Sequence, residues 1–206
     1  MQANQNEIIR KYRKIAHLPD FLFAFTFPLR RKAVSLLNLH PGDQVLEVGC
    51  SSGANFAYLG QAVGPTGRVV GVDLSPDMIT QAQKRIQKAG WMNVEVIQAS
   101  AETIQLDQKF DGLLLFAMHD VLTSPQALDN ILTYIKPGGR VAAAGPLLSS
   151  GFPGKLLNPM IRMVYKRFSV SQEDKHQPWR QLAGRLTKIK VEIHGPGLMY
   201  LVVAES

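Results

Sequence analysis

A single cysteine, Cys50, in 206 residues rules out an internal disulfide and with it a small disulfide-stapled fold. Long apolar runs are missing too: no uncharged apolar stretch reaches the roughly 18 residues that cross a bilayer. The first 13 residues are polar and lack the apolar segment of a secretory leader, so a cytoplasmic protein is expected. No proline-rich, glycine-rich or single-charge segment breaks the chain into two parts. With 46% hydrophobic residues, one full core over 1–206 is expected. Acidic charge is scarce at both ends. Residues 1–40 hold seven Lys or Arg against two acids and 151–206 nine against four, whereas 41–150 hold seven against ten. The net charge of +7 therefore belongs to the flanks, and a basic flank can attract an anionic lipid surface or nucleic acid, or simply be a solvated face.

What the chain does contain is an ordered set of strand, glycine loop and acidic strand end. Val45 to Val48 reads as a buried parallel strand. The loop Glu47-Val48-Gly49-Cys50-Ser51-Ser52-Gly53 follows, with Gly49 and Gly53 permitting close approach to a ligand, and a helix is expected over 54–63. A second apolar strand ends in Asp73, about 20 residues beyond the loop, where a carboxylate can accept from both hydroxyls of a ribose. The spacing falls short of the G-x-G-x-x-G that seats a pyrophosphate. Glu47 would repel such a group but can hold a cationic ammonium, which favours an amino acid bearing a nucleoside.

On these residues the chain resembles the class I S-adenosylmethionine-dependent methyltransferases, in which an E/D-x-G-x-G-type loop and an acidic ribose residue are the first two signatures. Further matches follow in order: Gln98-Ala99-Ser100-Ala101-Glu102, then Phe110-Asp111-Gly112-Leu113-Leu114-Leu115-Phe116, then Ile135-Lys136-Pro137-Gly138-Gly139-Arg140. The resemblance covers residues 40–145 most strongly and is nearest the ubiquinone and menaquinone biosynthesis type and the phospholipid N-methyltransferase type. It departs in having Ser51 where a glycine commonly stands and Ser100 where many relatives carry Asp.

The resemblance implies an α/β, Rossmann-like doubly wound sheet of seven strands, mostly parallel with a C-terminal antiparallel hairpin strand. Alternating strands (45–49, 68–72, 93–98, 111–116, 140–144) and helices (54–63, 76–89, 125–135) point the same way. Residues 188–194 and 198–204 form the hairpin, and a helix over 28–37 precedes the core. Within the single domain, 1–40 would be a helical cap, 41–145 the cofactor-binding core, 146–178 a lid or acceptor insertion, and 179–206 a terminal helix and hairpin.

The implied cofactor is S-adenosylmethionine, leaving as S-adenosylhomocysteine, with no metal. Gly49, Cys50, Ser51 and Gly53 would pass the amino acid portion, Glu47 would take the ammonium, Asp73 the ribose, and Leu74 and Met78 would flank the adenine. Ser100, Ala101 and Glu102 would meet the ring edge, and Phe116 would lie beside the sulfonium. Cys50 itself is read as a small buried side chain. His119, three residues past the fourth strand, is the candidate general base; a structural histidine near Asp120 is the alternative, and Asp120 can serve as a cap or as a substrate carboxylate. Tyr12, within Tyr12-Arg13-Lys14-Ile15-Ala16, would cover the sulfonium from an N-terminal helix over 7–16, or simply pack there, and His17 is read as structural.

The insertion holds Leu156, Leu157, Met160, Ile161, Val164 and Phe168 close to helical spacing, with Lys155, Arg162, Lys166 and Arg167 elsewhere. Such a helix packs in the core or forms an apolar lid that touches an anionic membrane together with Phe21, Phe23, Phe25, Phe27 and the Arg30-Arg31-Lys32 cluster. The expected acceptor is a small lipophilic molecule: a quinone precursor, a phospholipid amine or a related metabolite. An RNA methyltransferase of the same fold is one alternative, but nucleic acid is disfavoured because Ala117-Met118-His119-Asp120 stands where base N-methylating relatives carry an N/D-P-P-Y/F tetrapeptide. A binding module that holds the cofactor without turnover is the non-enzymatic alternative, and no sequence feature sets an oligomeric state.

Overall fold

Three consecutive leucines, Leu113 to Leu115, are completely buried, which requires cover on both faces of the strand that carries them. That strand is central to a seven-stranded sheet in a computed structural model that describes Glu7, Ile9, Arg10, Arg13, residues 26–169, Ser171 and residues 176–206, apart from the side chain of Phe168. The strands are β1 (Gln44–Val48), β2 (Arg68–Asp73), β3 (Val94–Gln98), β4 (Phe110–Phe116), β5 (Ile135–Pro146), β6 (Thr187–His194) and β7 (Met199–Glu205). Their order is β3-β2-β1-β4-β5-β7-β6. The first five run parallel, and β7 inserts antiparallel between β5 and β6. This is the doubly wound, mostly parallel sheet with an antiparallel hairpin strand that the residue pattern leads one to expect.

Because successive strand side chains alternate faces, each strand feeds two cores. Val45, Val69, Leu114, Phe116 and Ala142 meet α1 (Phe27–Leu36), α2 (Phe56–Val63) and α3 (Pro76–Ala89) through Ala33, Val34, Phe56, Leu59, Ile79 and Ala82. Leu46, Val48, Val70, Val72, Leu113 and Leu115 meet α4 (His119–Leu122) and α5 (Pro125–Leu132) through Val121, Leu122, Ala127, Leu128 and Ile131. Each such Val, Leu, Ile or Phe side chain contributes on the order of 2 kcal/mol. The helices start where local chemistry allows. Ser75 caps α3 by accepting from the Met78 N–H, with Pro76 at the first position and Gly90 ending the helix in the left-handed conformation. Ser124 caps α5 in the same way through the Ala127 N–H, 3.2 Å away.

Several boundaries differ from the sequence expectation. Residues 136–139, which fall between the helix expected to 135 and the strand expected from 140, lie inside β5, which pairs Phe110 with Ile135 and then shifts register before Gly112 meets Arg140. Lys136 Nζ holds both Asp111 oxygens at 2.8 Å and fixes that irregularity. Helix α5 ends at Leu132, and the four-residue α4 was not anticipated. The insertion contains a 3-10 turn (Gly154–Leu157) running into α6 (Asn158–Phe168), and α7 (Arg180–Ala183) precedes the hairpin. The expected helix over 7–16 lies largely outside the described residues, as do Tyr12, His17, Phe21, Phe23 and Phe25. Arg13 is helical and donates to Asp77 in the first turn of α3 at 3.3 Å.

Candidate functional site

The carboxyl ends of β1 and β2 bring Glu47 and Asp73 to one side of the loop between them. Gly49 and Cys50 both donate to the Val72 carbonyl, at 2.7 and 3.0 Å, which locks the start of the loop onto β2. Gly49 has φ +75°, and a Cβ there would strike the Met118 side chain at 2.0 Å; Gly53 has φ +77°, and a Cβ would strike the Phe56 ring at 2.5 Å. Both positions are therefore closed to any larger residue. Ser51 stands between them at φ +51°, so the residue that departs from the glycine pattern adopts the glycine-like conformation all the same.

Asp73 ends β2 with both oxygens engaged by backbone. Its Oδ2 accepts from Ser51 N–H at 2.9 Å and its Oδ1 from Ser75 N–H at 2.8 Å. Burial pushes its carboxyl up, and the N–H groups of Ser75, Ser51 and Leu74 pull it back. The side chain nonetheless keeps partial exposure, and each oxygen retains a further acceptor position. Leu74 beside it is half-buried; Met78 is buried, its sulfur 3.2 Å from Ser51 Oγ, and forms the floor of the loop. Cys50 is buried and its thiol is pushed up by burial, in keeping with a packing residue.

Glu47 is the most unusual group. It is 1% exposed at the end of β1, with Oε1 accepting from Asn55 Nδ2, while among the described residues Oε2 has no hydrogen-bond partner. Burial pushes its carboxyl from an ordinary 4.5 up to about 8, against the opposing pull of the Asn55 hydrogen bond and the Arg30 charge. Arg30 reaches in from α1: Nη1 donates to Asn55 Oδ1 at 3.0 Å, Nε donates to Thr26 Oγ1 at 2.9 Å, and the guanidinium lies 4.2 Å from the centre of the Phe116 ring. Glu47, Asn55, Arg30 and Phe116 thus form one chain of contacts. In the sequence Arg30 stands in a basic cluster with Arg31 and Lys32, and no motif includes Asn55. A polar side chain directly before the apolar α2 was the available signal for Asn55.

In the loop after β3, Ser100 Oγ accepts from the Glu102 N–H at 3.3 Å, and the Glu102 carboxylate accepts from Ser124 at 3.3 Å. The Ala101 carbonyl accepts from Asn130 at 3.0 Å, and Ala99 N–H reaches the Asp73 carbonyl at 3.1 Å. This loop is thereby tied both to the end of β2 and to α5. His119 opens α4 and is 5% exposed, with its ring centre 4.8 Å from that of Tyr165 in α6. Tyr165 donates to the Pro146 carbonyl at 2.7 Å, and Asp120 accepts from Ser169 and from the Ser171 N–H. Asp120 is thus a tether between α4 and the end of α6. Tyr165 went unremarked in the sequence, although it lies four residues after Ile161 on one helix face. Among the described residues no cluster of three or more His, Cys, Asp or Glu side chains could hold a metal ion.

The buried, half-satisfied Glu47 suits the ammonium of an amino acid, the closed glycine positions leave the loop backbone bare, and the acidic end of β2 suits a ribose. These residues fit S-adenosylmethionine. The comparisons with known proteins agree. The family described as a methyltransferase domain matches residues 45–139. A ubiquinone/menaquinone biosynthesis C-methyltransferase of Ectopseudomonas mendocina is 31% identical over 160 residues, 76% of this chain and 57% of that protein. An aklanonic acid methyltransferase of a Streptomyces species is 31% identical over 134 residues, 63% of this chain and 60% of that one. The chain therefore spans somewhat over half the length of these two relatives. In fold it is similar to the N-methyltransferase NodS of Bradyrhizobium japonicum, solved in complex with S-adenosylhomocysteine, with TM-score 0.66, 16% identity, and coverage of 97% of this chain and 98% of that one. Loop, sheet order and sequence relatives together support a class I S-adenosylmethionine-dependent methyltransferase, similar to the ubiquinone/menaquinone biosynthesis type.

Proposed function

We propose that this chain transfers the methyl group of S-adenosylmethionine to a small lipophilic acceptor of the quinone-precursor kind. The observation that carries it is the buried Glu47 oxygen without a partner, set beside a glycine loop and the acidic end of β2. When bound, the cofactor supplies a methyl group already activated by a positive sulfur. The protein supplies binding, alignment and dryness. Glu47, held by Asn55, takes the ammonium; its carboxyl ionises on doing so, since a cation beside it replaces the water it lost on burial. Asp73 takes the ribose hydroxyls on the acceptor positions that Ser51 and Ser75 leave open. Leu74 and the segment Ser100 to Glu102 bound the adenine side, and Gly49, Cys50, Ser51 and Gly53 present their backbone to the amino acid portion.

On the acceptor side the groups are aromatic and apolar. Phe116 ends β4, His119 and Tyr165 stack edge to face, and Tyr165 packs with Leu148, Ile161 and Leu198. An uncharged, flat acceptor suits that lining better than a phosphate-bearing one. His119 is the titratable group there and removes the proton that a ring carbon or hydroxyl must lose on methylation. The names of the two curated relatives, one acting in quinone biosynthesis and one on aklanonic acid, support an acceptor of this class.

Two measurements test this. Calorimetric titration with S-adenosylhomocysteine is expected to show binding that Asp73→Ala weakens strongly; absence of binding to the wild-type chain would refute the cofactor assignment. Transfer of tritiated methyl to a reduced naphthoquinone with an open ring carbon is expected with the wild type. With His119→Ala it should fall steeply while S-adenosylhomocysteine still binds, and unchanged turnover would remove His119 from the chemistry.

A further inference from the structure

The outer face of α6 departs furthest from ordinary surface chemistry. In the stretch leading into and along this helix, Phe152, Leu156, Met160 and Met163 are 83%, 69%, 52% and 70% exposed. Leu156, Met160 and Met163 follow one another at steps of four and three, so they line one side of the helical path. The opposite side is ordinary: Ile161 and Tyr165 are buried against Leu148 and Leu198. The expectation that Met160 and Ile161 share a single apolar face is thus corrected. The helix is apolar on two sides, and the described residues cover only one of them.

The charge around the open side has one sign. Lys155, Arg162 and Lys166 are exposed and Arg167 is half-exposed, and no Asp or Glu occurs anywhere between Asp129 and Glu173. A contiguous exposed apolar patch calls for a cover. Basic side chains beside it select an anionic one. Long Lys and Arg side chains can lie along an apolar surface and still place their charge at its edge.

We propose that this face seats in the headgroup layer of an anionic lipid bilayer, with Phe152, Leu156, Met160 and Met163 entering the acyl boundary and Lys155, Arg162, Lys166 and Arg167 meeting lipid phosphates. At 11 residues α6 lies in the surface and does not span it. Arg30 and Lys32 take no part: Arg30 is turned toward Asn55 and Phe116, and Lys32 pairs with Glu192 on β6. The docked face is the back of the helix whose front carries Tyr165 beside His119, so a lipophilic acceptor would leave the bilayer within about one helix diameter, ~10 Å, of that pair. Docking goes beyond methyl transfer and is read without cofactor or acceptor, so its failure would leave that reading untouched.

The test is sedimentation of the purified full chain with vesicles of phosphatidylcholine alone and of phosphatidylcholine with about one third phosphatidylglycerol, at low and high salt. Binding is expected only to the anionic vesicles and is expected to weaken with salt. The double variants Met160→Ser with Met163→Ser, and Arg162→Gln with Lys166→Gln, should each bind about tenfold or more weakly, with circular dichroism unchanged. No binding to anionic vesicles at low salt, equal binding to both compositions, or full binding by both double variants would overturn the proposal. So would dimerisation in sedimentation velocity that Met160→Ser with Met163→Ser removes while vesicles go unbound, since the cover would then be a second copy of the chain.

Discussion

The loop after β1 and the outer face of α6 handle unsatisfied groups in opposite ways. At the loop, polarity is concentrated and almost fully paired: both Asp73 oxygens take backbone N–H groups, and Glu47 keeps a single oxygen unmatched inside the protein. At α6 the unmatched groups are apolar and lie outside. Burying a carboxylate is costly in every state in which no cation is present, so the site is poised for one small ligand of defined charge. Exposing methionine and leucine costs little per residue and suits a broad, deformable partner. The first arrangement selects and the second adheres.

The contrast can be broken at the loop first. Asp73→Ala removes the proposed ribose acceptor and the anchor of the Ser51 and Ser75 amides, so affinity for S-adenosylhomocysteine should fall by about a hundredfold or more, read by calorimetry. Glu47→Gln should change the pH dependence of stability. In the ligand-free wild type the unfolded carboxyl ionises near 4.5 and the folded one at about 8. The folded state thus holds the extra proton between these values, and stability falls as pH rises through that window, by on the order of a few kcal/mol. Denaturant melts from pH 4 to 9 should show this decline in the wild type and a flatter profile in Glu47→Gln. Because an ammonium reverses the preference, S-adenosylhomocysteine affinity should rise over the same window with proton release, and a pH-independent affinity would show that Glu47 does not meet the ammonium.

Smaller effects sharpen the comparison. Tyr165→Phe deletes the hydrogen bond to the Pro146 carbonyl and should cost about 1 kcal/mol, a melting shift of a few degrees, with cofactor affinity intact. Ser51→Gly relieves a left-handed serine and should stabilise the chain by somewhat under about 1 kcal/mol in urea unfolding. A loss of stability would mean that the hydroxyl contact to Met78 outweighs the backbone strain.

Local chemistry made much of this legible. Ser75, Pro76 and Gly90 mark both ends of α3, and residues 76–89 match the helix found. The apolar runs ending at Val48, Asp73 and Phe116 place three strand ends correctly to within a residue. The hairpin over 188–204 likewise anticipates β7 lying antiparallel beside β5. The rest depends on contacts distant in sequence. Arg30 turns inward because Asn55, 25 residues away, and the Phe116 ring receive it, and nothing in Arg30-Arg31-Lys32 distinguishes it from its neighbours. The side of α6 that packs is chosen by Leu148 and Leu198, which periodicity alone does not reveal when apolar residues occur on two sides. The pairing of Ile135 with Phe110 overrides turn residues at 137–139 because a strand partner was already in place.

The insertion of β7 between β5 and β6 sets the terms on which residues 147–186 can change. Both ends of that segment are clamped by strands of one sheet, β5 on one side and the β6–β7 pair on the other. For a flexible segment closed in this way, doubling its length costs only about 0.6 kcal/mol of closure entropy. The sheet therefore acts as a socket into which segments of different length and polarity can be fitted while the loop after β1 stays as it is, and the basic, methionine-studded helix of this chain is one such insert.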